Sequence, residues 1–407
     1  MCIKDAMLAH DHALGHYNIM KARDLSIDAT RGKPGAGQVD LCKNALESLE
    51  DYRTLGGIDV RNYGGNDGLP EMKALFAEML DVPAQNIIVG GNSSLNMMFD
   101  CVATLIHAGL WKVGQKFLCP SPGYDRHFAI CEYFGLEMIP VAMTPEGPDI
   151  DAIAELALDS DVAGIWCVPV FSNPQGYVYS DETIMKLAKL PAAHPDFRLM
   201  WDNAYTVHHF KGRRPCPVNI FSECAKHGNT ERPIVFTSFS KISIPGAAVV
   251  CMAAAEATLK LMRDRIAVQT IGPDKINQLR HVHFFRDLNG VLSHMEKHAA
   301  ILLPKFEEAY SLLRFELAGT EASFTTPNGG YFISIETAPG CAKRVWQLCK
   351  DAGVVLTDAG ATFPYGNDPR DTNLRLAPTF LSMEELEMGI EVLGAAVLLA
   401  EAERYCL

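Results

Sequence analysis

Nothing in the chain marks a membrane, a metal centre or a nucleic-acid surface. No apolar run reaches the length of a bilayer span; Pro245 to Ala255 is apolar but short, and Glu256 ends it. The opening Met1-Cys-Ile-Lys-Asp mixes charges and lacks the apolar stretch of a secretory signal, and the last residues carry no lipidation box. H-E-x-x-H is absent, and so is C-x-x-C. Twelve cysteines stand singly from Cys2 to Cys406, and no Cys/His cluster has zinc-like spacing. They read as reduced thiols, mostly buried as small hydrophobes, and point to the cytoplasm. Long runs of like charge are missing too. The formal net charge is -13 and the pI about 5.5, a poor match for a phosphate backbone. Neither nucleic acid nor membrane is therefore expected as a partner. There is no internal repeat and no low-complexity linker.

What is present is globular. With 407 residues, 48% of them hydrophobic and 21% charged, the chain can bury a large core and fill two or three domains. Asp5 to Arg23 has the pattern of an amphipathic helix, and Asp24 to Leu41, rich in Gly, Pro and polar residues, reads as an irregular arm. From about residue 70, helices alternate with short apolar strands. Leu69–Leu80 and Ser93–Ala108 are helical; Asn86–Gly90, Lys116–Cys119, Leu136–Val141, Val162–Val170, Phe197–Trp201, Pro233–Phe236 and Ala247–Cys251 are strands. Ser180 caps a further helix whose first turn carries Asp181 and Glu182, with Pro191 beyond its end. This alternation predicts an α/β fold with a mostly parallel, seven-stranded sheet in a large domain. A long helix after residue 285, a strand at Tyr331–Ile335, another helix and Asn373–Leu376 predict a smaller α+β domain. The expected division is residues 1–55 as N-terminal helix and arm belonging to the small domain, 56–284 as the large domain and 285–407 as the C-terminal small domain.

In open parallel sheets, ligands bind beyond the carboxyl ends of the strands. Five strand ends here carry polar or aromatic groups: Gly90-Gly91-Asn92-Ser93, Pro122-Gly123-Tyr124, Asn173-Pro174-Gln175-Gly176, Asp202-Asn203-Ala204-Tyr205 and Ser238-Phe239-Ser240-Lys241. Each has a plain reading as well as a chemical one. Asp202 leaves an apolar strand and either caps a helix or meets a cation. Lys241 is either a solvated lysine or, if desolvated, a nucleophile toward aldehydes. Gly91-Asn92-Ser93 opens a helix, as many loops do, and offers an anion site. Ser238 and Ser240 can hydrogen-bond a phosphate. Tyr124 packs in the core or stacks on a flat ring. Taken together, in this order, the set complements pyridoxal 5′-phosphate: phosphate, ring face, phenolic oxygen, pyridine nitrogen and aldehyde.

The N-P-x-G, D-x-A-Y and S-x-S-K trio at Asn173, Asp202 and Ser238 resembles the class I aminotransferases of PLP fold type I, and within them the MocR-like subgroup of aspartate aminotransferases. The similarity runs along nearly the whole chain, through Thr30-Arg-Gly-Lys-Pro, Asn62-Tyr-Gly-Gly, Trp201-Asp-Asn-Ala-Tyr-Thr-Val-His-His, Thr326-Pro-Asn-Gly-Gly-Tyr-Phe-Ile-Ser and Asn373-Leu-Arg-Leu-Ala-Pro-Thr-Phe. The resemblance implies that Lys241 forms the Schiff base with the cofactor and later shuttles a proton. It implies that Asp202 keeps the pyridine nitrogen protonated and that Asn173 and Tyr205 bind the phenolic oxygen. Tyr124 stacks on the ring, and Gly91, Asn92, Ser93, Ser238 and Ser240 hold the phosphate. Arg375, Asn173 and Gly32 bind the substrate α-carboxylate; outside the resemblance, Arg375 would read as a surface arginine. Tyr63, five residues before Gly68, reaches the phosphate of a neighbouring subunit, which implies a homodimer with shared active sites. At one point the chain departs from the family: Val249 and Val250 stand where many members carry a phosphate-binding arginine. His208 and His209 read as structural hydrogen-bonders.

The expected activity is transfer of an amino group between an amino acid and a 2-oxo acid. Aspartate or glutamate would need a second cation, for which Arg31, Lys33 and Arg126 are candidates. The alternative is another reaction of this fold, an elimination, replacement or condensation on an amino acid. A third reading, a regulator fused to a DNA-binding module, lacks the basic extension it would need.

Overall fold

The computed structural model describes residues 3–30, 32–47 and 49–405. Its centre is an eight-stranded sheet. In spatial order the strands are Ile87–Val89, Val250–Ala253, Pro233–Ser238, Arg198–Asp202, Val162–Cys167, Lys116–Ser121, Glu137–Thr144 and Gly147–Pro148. Five of them, from Pro233–Ser238 across to Glu137–Thr144, run parallel, and Val250–Ala253 is antiparallel to both its neighbours. The expected seven strands are corrected to eight, because Gly147–Pro148 folds back antiparallel on Met143 and Thr144. The inner strands are buried at every position, as in Val162–Cys167 and Arg198–Asp202. Helices cover both faces, so these strands read as continuous apolar runs rather than alternating ones.

The parallel strands end at one edge. Asp202 pairs with Phe236, so Ser238 lies two residues further along the neighbouring strand, and the chain leaving Cys167 runs on to Asn173. The single turn Phe239–Lys241 follows Ser238, whose hydroxyl accepts from the Ser240 N–H and caps it.

A second core holds the small domain. Its sheet pairs Ser323–Phe324, Ile333–Glu336 and Asn373–Leu376 antiparallel. The N-terminal helix Ile3–Lys21 buries Ala13, Tyr17 and Met20, spaced as one helical face, in the same cluster as Leu386 and Ile390 of the last helix, Met383–Arg404. The arm is more regular than its composition suggests. Ile27–Asp28 pairs in parallel with Val354–Val355, and Ala36–Asp40 is helical. The 29-residue helix Leu288–Glu316 joins the two bodies. Val291 and Met295 lie in the large core, while Leu302, Phe306 and Leu313 lie in the small one. Gly329 closes the seam: a Cβ there would sit 2.3 Å from Phe171 and 2.5 Å from the His208 carbonyl oxygen. A side chain at this position would hold the small domain off the sheet edge.

Candidate active site

A cavity of about 490 Å³ opens at the strand edge between the two cores. Its lining includes Gly32, Tyr124, Asn173, Tyr205, Lys241 and Arg375. The chain thus brings together in one space residues that lie more than 300 positions apart.

Asp202 ends the buried strand Arg198–Asp202. It caps no helix. It is 4% exposed, and its Oδ2 accepts a hydrogen bond from His127 Nε2 at 3.0 Å. Its Oδ1 is buried without a partner. His127 is held in turn by stacking on Trp166, with centroids 4.2 Å apart and planes 6° off parallel. A carboxylate with one oxygen satisfied and one buried and empty is costly unless a cation completes it. The protonated ring nitrogen of pyridoxal phosphate is such a group. On this observation the residues fit the cofactor.

Tyr124 lies edge-on to His127, centroids 4.9 Å apart. Burial pushes its phenol up to about 12, with nearby Lys241 opposing. Tyr205 is buried, and burial, reinforced by Asp202, raises its phenol well above the usual range. Both tyrosines therefore keep their protons near neutral pH and act as donors. The Lys241 Nζ stands over the Tyr205 ring, 5.0 Å from its centroid.

Two segments meet beside the lysine. Ser240 Oγ is 3.0 Å from Ser238 Oγ and 3.5 Å from the Asn92 carbonyl oxygen. Gly91, at φ +71°, turns the chain into the 14-residue helix Ser94–His107, whose N-cap Ser93 makes no capping hydrogen bond. That leaves the first N–H groups and the helix dipole free for an anion. Val249 and Val250 are buried apolar residues and supply no charge here.

Arg375 is 7% exposed and is no surface residue. One terminal nitrogen donates to Asp125 Oδ1 at 3.0 Å and Asn173 Oδ1 at 3.1 Å; the other donates to Thr357 Oγ1 at 3.0 Å. Phe332 stacks beneath the guanidinium, 4.8 Å away. Gly32 sits against the same ring, where an added Cβ would come within 2.5 Å of Phe332. Lys33 and Arg126 line the cavity as well. Arg31 lies outside the described residues.

Asp202, Ser238 and Ser240 are not among the residues that line this cavity, and Gly91, Asn92 and Ser93 line a second one with Asn66 and Pro273. Tyr63 lines neither. It is 80% exposed, on a turn held by Lys275 Nζ donating to the Gly64 carbonyl at 2.6 Å.

Several functional residues escaped the sequence reading. His127 and Asp125 lie one helical turn or less beyond Tyr124, and that spacing was the available signal. Less legible is a buried network behind the lysine. Both His208 Nε2 and Tyr331 Oη lie 3.3 Å from the Lys241 carbonyl oxygen. Gln38 of the arm bonds Tyr331 Oη and His298 Nδ1, each at 2.9 Å. Burial holds His208 and His298 neutral, pushed down to about 3. The arm and both domains thereby grip the backbone of the lysine.

Residues 3–406 match the sequence pattern of the family described as aspartate amino-transferase. An aspartate aminotransferase of Corynebacterium glutamicum is 42% identical, covering 98% of this chain and 95% of that protein. A crystal structure of an aspartate transaminase from the same species superposes with a TM-score of 0.95 at 40% identity, covering 100% of this chain and 98% of that one. The α-aminoadipate aminotransferase of Thermus thermophilus, solved with N-(5′-phosphopyridoxyl)-L-leucine, shares the fold at a TM-score of 0.77 and 22% identity, covering 96% of this chain and 97% of that one.

Proposed function

Because the chain belongs to the aspartate amino-transferase family and is an aminotransferase working through pyridoxal 5′-phosphate, we propose that it exchanges the amino group of aspartate or glutamate with a 2-oxo acid in the cavity between Lys241 and Arg375. The observation that carries this reading is the charge layout of that cavity. The buried Arg375 guanidinium and Lys241 line it together with two further cations, Lys33 and Arg126. Apart from Lys241, three cations suit a substrate with two carboxylates.

The bound cofactor supplies a carbonyl carbon that joins amino groups and a ring that takes up an electron pair. Lys241 would hold that carbon, and its amine, once free, would move a proton at the substrate Cα. Asp202 Oδ1 would keep the ring nitrogen protonated, with His127 holding the carboxylate through Oδ2. Asn173 spends its oxygen on Arg375, which leaves its amide N–H groups for the phenolic oxygen. Tyr205, kept protonated by burial, donates there as well. Tyr124 covers the ring. Gly91, Asn92, Ser93, Ser238 and Ser240 receive the phosphate. Arg375 and the Gly32 backbone take the α-carboxylate.

Tyr63 completes the phosphate site of a second copy of this chain, making a homodimer with shared sites. Its exposure supports this, as does Ile271 beside it, which is 65% exposed and accepts from the Gly64 N–H. A reducing cytoplasm suits the described cysteines, all of them free thiols. No helix among the described residues is long and apolar enough to cross a membrane.

The test is a half-reaction. Cofactor-loaded protein given L-aspartate alone is expected to lose the aldehyde absorption band and gain that of the amine form, and 2-oxoglutarate should reverse the change. Aromatic or aliphatic amino acids reacting far faster than aspartate would overturn the dicarboxylate assignment. No conversion with any amino acid would favour elimination, replacement or condensation instead. Lys241→Ala should abolish the exchange.

A further inference from the structure

Arg375 already holds a carboxylate. The Asp125 Oδ1 lies 3.0 Å from the same terminal nitrogen that a substrate α-carboxylate needs. Both hydrogens of that nitrogen are engaged, one by Asp125 and one by Asn173. The opposite nitrogen gives one to Thr357. Of these three partners only Asp125 carries charge. It lines the cavity together with Arg375 and Arg126, and its side chain keeps 26% of its surface accessible while the arginine keeps 7%. The aspartate is therefore the more accessible of the two.

Resting on the aminotransferase reading, we propose that Asp125 is an internal stand-in for the substrate α-carboxylate, occupying Arg375 in the free enzyme and giving way when substrate binds. Two physical pressures meet at this pair. A buried guanidinium with only neutral partners is an uncompensated charge, so the free enzyme gains from keeping a carboxylate on it. An incoming carboxylate cannot share the nitrogen with another at this distance, because like charges so close repel strongly. Binding is therefore an exchange, and the observed affinity is the intrinsic one reduced by the fraction of enzyme whose clamp is open. Arg126 offers the displaced group its next resting place. Its Nε is 3.5 Å from Asp125 Oδ2, and it is half exposed at the cavity mouth. The exchange also works in reverse: as product leaves, Asp125 closes on Arg375 and blocks rebinding. Asp125 is in this sense a positioning residue that sets substrate affinity without touching the reacting atoms.

The experiment uses the cofactor-loaded enzyme and propionate, which has one carboxylate and no amino group, with binding read from the cofactor absorption band at constant ionic strength. Asp125→Asn keeps the shape and the oxygen acceptor but loses the charge. It is expected to bind propionate about ten-fold more tightly, since a neutral partner holds the guanidinium about half as strongly. The same variant should show a gain in kcat/KM for amino acids that lies in KM rather than kcat. It should also melt lower than the parent when free and recover with propionate. Arg126→Gln removes the resting place and should weaken propionate binding. A merely structural aspartate would lose stability without gaining affinity. Unchanged or weaker propionate binding by Asp125→Asn overturns the proposal, and unchanged binding by Arg126→Gln overturns the hand-over. Failure of the parent enzyme to convert any amino acid would overturn the aminotransferase reading on which the role rests, and the propionate titration would still report whether Asp125 competes for Arg375.

Discussion

Replacing Asp202 by asparagine separates two roles that the geometry gives one side chain. Oδ2 is needed by His127 at 3.0 Å, and an amide oxygen can serve it equally well. The buried Oδ1 has no partner in the protein, so its charge matters only to something that binds there. In the variant, the amide nitrogen takes that place, neutral and itself a donor, facing a ring nitrogen that no longer gains by being protonated. A buried hydrogen bond to a charged group contributes about 1.5–3 kcal/mol, so cofactor affinity should fall about 10- to 150-fold. The fall in the half-reaction rate should be larger, because the ring loses its positive charge as well as its anchor. Fold stability of the cofactor-free protein should change by less than about 1 kcal/mol, since the His127 bond survives. The assays are cofactor titration of the apoenzyme by absorbance, stopped-flow mixing with L-aspartate, and urea unfolding. Cofactor affinity and half-reaction rate both within threefold of the parent would refute the assignment of Oδ1 to the ring nitrogen.

Arg375→Lys keeps the charge but loses the planar fork that reaches Asp125, Asn173 and Thr357 together; KM for amino and oxo acids should rise about 10- to 100-fold, equivalent to about 1.4–2.8 kcal/mol, and steady-state kinetics check it. Tyr63→Phe should weaken cofactor binding several-fold while light scattering still reports a dimer; mixed dimers of Tyr63→Phe with Lys241→Ala should regain one intact site, and a monomeric parent enzyme would end the shared-site reading. Stability should fall with acid. Burial pushes His208 and His298 down to about 3 and His294 to about 4, against about 6.5 when unfolded. The unfolded chain therefore binds protons first, so the contribution of these residues is complete above about pH 6.5 and is lost as pH falls toward 4 and 3. Urea midpoints from pH 7 to 4.5 should trace that slope, His298→Gln should flatten it, and an equal slope in the variant would contradict the neutral-histidine network.

The sheet and its loaded edge were legible because both depend on short stretches of chain. A buried parallel strand is a run of apolar residues, and the polar residue that ends it is read directly, as with Asp202 after Trp201 or Ser238 after Thr237. The same apolarity misleads where burial outlasts pairing. Val162–Val170 read as one strand, yet pairing stops at Cys167, and Val168 and Val170 are buried in the small-domain core instead. The two residues Gly147–Pro148 carry no strand pattern at all, and only their return against Met143 and Thr144 makes them one. In the arm, the helix Ala36–Asp40 is too short to form alone. Gln38 supports it from both ends of its side chain, accepting from the Gly35 N–H and donating toward His298 and Tyr331. Partners 260 and 293 residues away leave no trace in the local sequence. His127 was hidden for the same reason, since Asp202 is 75 residues away.

What the sequence withheld most completely is the balance of charge in the site. Arg375 was assigned to the substrate α-carboxylate by resemblance, but nothing in the local sequence pairs it with Asp125, 250 residues away. Folding sets them 3.0 Å apart and leaves the Arg375 Nε buried without a partner, as it leaves Asp202 Oδ1. Each such group costs about 1–3 kcal/mol when nothing completes it. These two, one acidic and one basic, are on the proposed reading the places where this protein sets local stability against binding. Asp125 meets the Arg375 charge from within, through a terminal nitrogen, while Asp202 Oδ1 has no counterpart in the protein. An internal substitute for a carboxylate is a single side chain that can turn aside. A substitute for a protonated ring nitrogen would have to be a cation on the sheet floor, where it would fill the slot the ring must enter. The asymmetry follows from the sizes of the two ligands: the small, exchanging one is rehearsed by the protein and the large, resident one is not.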